Sequence, residues 1–250
     1  MVNKKRWYSK LFLLSVAMLL VSIPLNMFIK NWVTLSIISI ILKVISLTFI
    51  LIYSKKEKFE YVDIDKPKKL DLLLLPFLII TFSNLFVVIL NKNIINNTIN
   101  YLYLIISLTS CILTSIIEEI IFRHFIYKEF RHSKPMFKSI LFTSLIFGGM
   151  HLLNINSIAS IPYCLIQAVY TFGIGLILSI IYIFSKNIIF SIIVHFLFNF
   201  INDTLVSHLF NIEWNFIFFI VNITISVLIG LYALYIYKRY LVEEVSEYVS

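Results

Sequence analysis

The sequence predicts an all-α, polytopic membrane protein, a helical bundle of about eight transmembrane helices. Three observations lead there. Sixty percent of the 250 residues are hydrophobic and only 14% are charged, whereas about a quarter of a soluble domain is charged. The apolar residues come in repeated runs of about 20, the length that crosses a bilayer core. The basic residues fall in short clusters between those runs, as in the cytoplasmic loops of membrane proteins. The formal charge of +8 therefore does not indicate nucleic acid, which calls for a basic stripe with interleaved aromatics. Lipid is the natural solvent.

In chain order the runs lie at about 11–29, 33–53, 72–91, 101–127, 137–153, 158–184, 187–206 and 214–237. The first follows Lys4-Lys5-Arg6, as a signal peptide would. It continues to about Ile29 without a small-x-small cleavage site, so it reads as a first span. The fourth and sixth runs are long and the fifth short, which predicts tilt or extension beyond the bilayer. The stretch 55–71, KKEKFEYVDIDKPKKLD, is the one substantial polar linker. No internal repeat divides the chain, so residues 1–250 form a single integral membrane domain. Cys111 and Cys164 sit within apolar runs, which argues against a disulfide framework.

Orientation follows from charge. With a cytoplasmic N-terminus, 17 of the 21 Lys and Arg residues fall on the inside. The outside segments carry only Lys30 and Lys92, and Lys43 and Arg123 lie within spans. That asymmetry obeys the positive-inside rule, and an even number of spans then leaves both termini cytoplasmic. The Ile-, Asn- and Lys-rich composition resembles that of an AT-rich bacterium, so the expected location is a bacterial cytoplasmic membrane.

Ionisable residues inside a span are costly and mark function by default. The fourth span contains Glu118, Glu119, Arg123 and His124. Glu119 and Arg123 stand four apart on one helix face, acid first, the favourable order for an ion pair. Glu118 is turned about 100° away and is less well neutralised by Arg123. Glu119 and Arg123 are therefore assigned to support, and Glu118 to chemistry as a base. The competing reading has all three lock helix packing. The fifth span ends Phe147-Gly148-Gly149-Met150-His151. The glycines allow close backbone approach, Phe147 reads as a packing residue, and His151 is able to exchange a proton near neutral pH. The seventh span carries His195 and Asn199 four apart, with Asp203 following on the same stripe. Such a pair serves either as hydrogen-bond donors to an oxyanion or as an interhelical polar clasp. Gln167 and Tyr170 have no spacing that separates them from packing residues.

Glu-Glu-x-x-x-Arg, Phe-x-x-x-His and His-x-x-x-Asn occur in this order, each on its own apolar span. Together they resemble the CPBP family of intramembrane proteases, which includes the CAAX prenyl endopeptidases and bacterial Abi-type proteins. The resemblance covers about 118–199, within a motif-bearing core of about 101–206. It implies an intramembrane endopeptidase in which Glu118 and His151 activate a water. His195 and Asn199 would hold the oxyanion, and Glu119 and Arg123 would support the site. The implied partners are a peptide or protein substrate in the membrane and the bilayer itself, with no nucleic acid. For a bacterial chain the substrate class would be a signalling, leader or bacteriocin-like peptide, and for a eukaryotic one a prenylated CAAX protein.

The family has been described both as zinc-dependent and as glutamate-dependent. The sequence lacks His-Glu-x-x-His, and the metal-free glutamate mechanism is favoured. If zinc is present, its ligands would be Glu118, His151 and His195. Two other functions fit the same spans. One is a non-catalytic immunity or chaperone-like protein on this scaffold. The other is a proton-coupled transporter, against which stands the lack of an inverted repeat.

Overall fold

The computed structural model describes residues 29–54, 76, 81–91, 99–155, 157–210 and 215–241. The described residues are helical and contain no strands. Helix α1 spans Trp32–Ser54, α2 Ser83–Asn91 and α3 Tyr101–Glu119. α3 runs on without a break as a π-helix, Ile120–Tyr127, and a last α turn, Lys128–Arg131. Helix α4 is Met136–Met150, followed by short 3₁₀ turns at His151–Asn154 and Ile158–Ser160. Helix α5 is Ile161–Ser185, and α6 is Ile188–Leu197, prolonged by a π-helix at Phe198–Val206. Helix α7, Phe216–Ile236, is the last described helix and runs into a π turn at Tyr237–Leu241.

Six of these helices are long and apolar enough to cross a membrane: Trp32–Ile52, Tyr101–Arg131, Met136–Asn154, Ile158–Ser185, Ile188–Leu209 and Phe216–Arg239. They match six of the eight expected runs, with ends shifted by a few residues. The run at 11–29 and the linker at 55–71 lie wholly or almost wholly outside the described residues. Of the run at 72–91, residues 76 and 81–91 are described, including α2; the described helices long enough to span number six. The chain is an integral, multi-pass membrane protein.

Asparagine starts four of the helices. Asn31 Oδ1 accepts from the Val33 and Thr34 amides. Asn100 caps α3 through Tyr103, Asn187 caps α6 through Ile189, and Asn215 caps α7 through Phe218. Each supplies an oxygen to an amide that the helix itself leaves unpaired. Between α5 and α6 the turn is only Lys186 and Asn187. Lys186 takes the left-handed conformation, φ 52°, which ends α5 sharply, and Asn187 at once begins α6.

Helix α5 is the centre of the bundle. Every residue from Gly173 to Phe184 is buried, the pattern of a helix surrounded by others. It packs on α4, α6 and α7, while α1 lies on α3, α3 on α6, and α2 on α7. At the α4–α5 crossing a Cβ on Gly148 would stand 2.6 Å from the Ala168 carbonyl oxygen. Only glycine permits that approach. The neighbouring Gly149 is exposed and has nothing within 4 Å of the same position. The outer faces of α1 and α7 carry exposed Ile41, Phe49, Leu228 and Leu231, as a lipid-facing surface requires.

Candidate active site

The α3 helix brings Glu118 and Glu119 to the middle of the bundle, and the two carboxylates meet different surroundings. Glu119 is fully buried. Its Oε2 accepts from Arg123 Nε at 3.0 Å and its Oε1 from the same guanidinium at 3.4 Å. His195 Nδ1 lies 3.0 Å from Glu119 Oε1. A carboxylate paired with arginine only accepts, so this nitrogen carries the proton and donates. Arg123 is fully buried and its guanidinium also stands 5.2 Å over the Phe147 ring, a cation–π contact.

Glu118 lines a cavity of about 270 Å³ whose walls also include His151, His195, Asn199 and Phe147. It is 8% exposed. His195 Nε2 stands 3.6 Å from Glu118 Oε2, beyond a hydrogen bond. His195 thus sits between the two glutamates, bonded to one and facing the other. His151, just past the end of α4, holds its Nδ1 3.0 Å from the Phe147 carbonyl. A carbonyl cannot donate, so Nδ1–H is the donor, and a neutral His151 keeps its lone pair on Nε2. Phe147 stands edge-on to both His151 and His195, with ring centroids 5.4 and 5.6 Å away. Phe147, read as a packing residue, packs against both imidazoles.

Four candidate catalytic residues from three spans therefore share one cavity, and the two supporting residues stand behind it. The side chain of Asp203 lies outside the described residues. Gln167 and Tyr170, which spacing alone could not separate from packing, line the same cavity. Among the described residues no group of three or more His, Cys, Asp or Glu side chains is arranged to hold a metal ion. Glu118, His151 and His195 do not form a ligand set as they stand.

Two features escaped the sequence reading. The first is the π-helical geometry directly after Glu119 and again from Phe198, around Asn199. π segments inside helices are often found at functional sites, but residue pattern gives no signal for them. The second is Lys43 of α1, which lines the cavity and is 9% exposed. Its signal was present: it is the one charged residue in its span, and a charge at membrane depth marks a site by default.

Residues 100–201 match the family described as type II CAAX prenyl endopeptidase Rce1-like. No curated protein and no solved structure matches the chain. The matched stretch holds all seven residues of the three motifs and supports an enzyme of the CAAX protease type.

Proposed function

We propose that this chain of the CPBP and CAAX protease family is a glutamate-type intramembrane endopeptidase acting on a membrane-associated peptide or protein. The observation that carries the reading is the division between the two glutamates. Glu119 is neutralised and held by Arg123 and His195, while Glu118 shares a cavity with two imidazoles and an amide.

In this mechanism a water lies between Glu118 and His151. Glu118 takes its proton as the oxygen attacks the substrate carbonyl carbon. The negative charge moves to the carbonyl oxygen, which accepts from Asn199 and from His195 Nε2–H. For Nε2 to donate while Nδ1–H is bonded to Glu119, His195 must carry a proton on both nitrogens. The carboxylates at 3.0 and 3.6 Å flank that charge. When the tetrahedral intermediate collapses, the C–N bond breaks and the proton passes from Glu118 to the leaving amine. Water-poor surroundings strengthen each of these interactions.

The basic-residue distribution supports both termini lying in the cytoplasm, and the Ile-, Asn- and Lys-rich composition supports a bacterial cell. Reporter fusions at each end are expected to read cytoplasmic, and an external readout at either end overturns that orientation. The protease reading is tested with detergent-purified chain and a panel of membrane-associated peptides, with and without a zinc chelator. Wild type is expected to give product that survives the chelator, and Glu118→Ala none. Equal product from both proteins removes Glu118 from the role of base. Loss of product under the chelator, restored by zinc, overturns the metal-free mechanism.

A further inference from the structure

Among the described residues Lys43 is buried and closes no ion pair, although Glu118 acts on it electrostatically across the shared cavity. It stands in the middle of its span, about 14 Å or more of helix from either end. That is beyond what its four-carbon stem covers to reach lipid headgroups. Its ammonium donates to Ser110 Oγ at 2.6 Å, a neutral partner. An ammonium has three donors, so two remain. The acidic residue lining the same cavity is Glu118, which the proposed mechanism occupies with water. Closed ion pairs do occur deep in this protein, as Glu119 and Arg123 show. Lys43 has no such pair among the described residues.

The geometry points to Lys43 as an anion subsite of the cavity, one that receives a carboxylate of the substrate, whether its C-terminus or an acidic side chain. Ser110, which holds the ammonium, and Glu118 lie on the same helix about two turns apart and line the same cavity. The inference rests on the protease reading for its purpose, while binding tests it separately.

The test uses the full chain in detergent as wild type, Lys43→Met and Lys43→Arg. The probe is a fluorescent apolar octapeptide in three forms: free C-terminus, C-terminal amide, and amide with a glutamate as last residue. Wild type is expected to bind one or both carboxylate forms about tenfold or more tightly than the plain amide, the scale of a charged hydrogen bond. The form preferred identifies the source of the carboxylate. The preference should vanish in Lys43→Met and return in Lys43→Arg, with affinity for the amide unchanged. Removing a buried, unpaired charge from an apolar span does not threaten the fold. Equal affinity for acid and amide in wild type overturns the subsite. So does a preference that persists in Lys43→Met, or no binding of any form at about millimolar peptide. Carboxylate preference without Glu118-dependent cleavage would break the protease reading and leave the subsite standing. If Lys43 instead acts on Glu118, cleavage of acid and amide peptides falls by the same factor.

Discussion

Glu118 and Glu119 are identical in chemistry and adjacent in sequence, yet they live in two regions of the molecule. Glu119 faces a closed polar core, where Arg123 and His195 fill its hydrogen bonds and water has no entry. Glu118 faces a cavity edged by His151, Asn199 and Lys43. One region has satisfied its charges internally and the other has left them for something to arrive. A charge at membrane depth is tolerated in two ways, by neutralisation in place or by use, and one turn of α3 displays both.

The largest expected effects come from exchanging the two roles by mutation. Glu119→Gln leaves Arg123 buried and unneutralised, which costs about 3–5 kcal/mol. It is expected to lower Tm sharply in detergent and to reduce monodisperse protein. Glu118→Gln should fold and accumulate like wild type and lose about 10²–10⁴-fold in turnover. The comparison fails if Glu118→Gln is the variant that does not accumulate, or if Glu119→Gln keeps its Tm.

Asn199→Ala sharpens the picture of the open region. If its amide serves the oxyanion, kcat should fall about 10²-fold or more with KM little changed, since the interaction is made in the transition state. An equal rise in KM with kcat intact would assign Asn199 to substrate binding instead.

Much of this was legible before any coordinates. The helix class and six span positions follow from apolar runs, because a bilayer fixes the length of what crosses it. The Glu119–Arg123 pair was readable because i,i+4 side chains meet on any α-helix. The His195–Glu119 bond was not, because it joins α6 to α3 and no local spacing encodes which spans become neighbours. Lys43 was visible as an oddity, but its partner Ser110 lies 67 residues away. Nor does sequence distinguish the two glycines, which form one dipeptide about 100° apart on the helix, one buried against α5 and one exposed.

Those glycines supply the next smaller effect. Gly148→Ala drives a methyl group against the α5 backbone and should cost about 1–3 kcal/mol as overpacking. Because α4 carries Phe147 and leads directly into His151, turnover is expected to fall with it. Gly149→Ala meets open space and should stay within about 0.5 kcal/mol of wild type. Thermal melts of the two in detergent check this, and equal losses would mean that the α4–α5 crossing does not depend on the close approach.

The smallest effect tests whether stability and chemistry separate at all. Asn187 caps α6 well away from both glutamates, and its side chain holds the Ile189 amide at 2.9 Å. Asn187→Ala should cost about 1 kcal/mol through that one bond, lowering Tm by a few degrees. His195 and Asn199 lie two and three turns further along the helix, held in place by Glu119 and by packing on α5 rather than by the cap. Turnover per folded molecule should therefore be unchanged. If it drops instead, the position of α6 against α3 is set from its capped end. The His195–Glu119 contact would then be a consequence of that end, and losses seen at Glu119 would have to be read as displacement of α6 as well as lost charge.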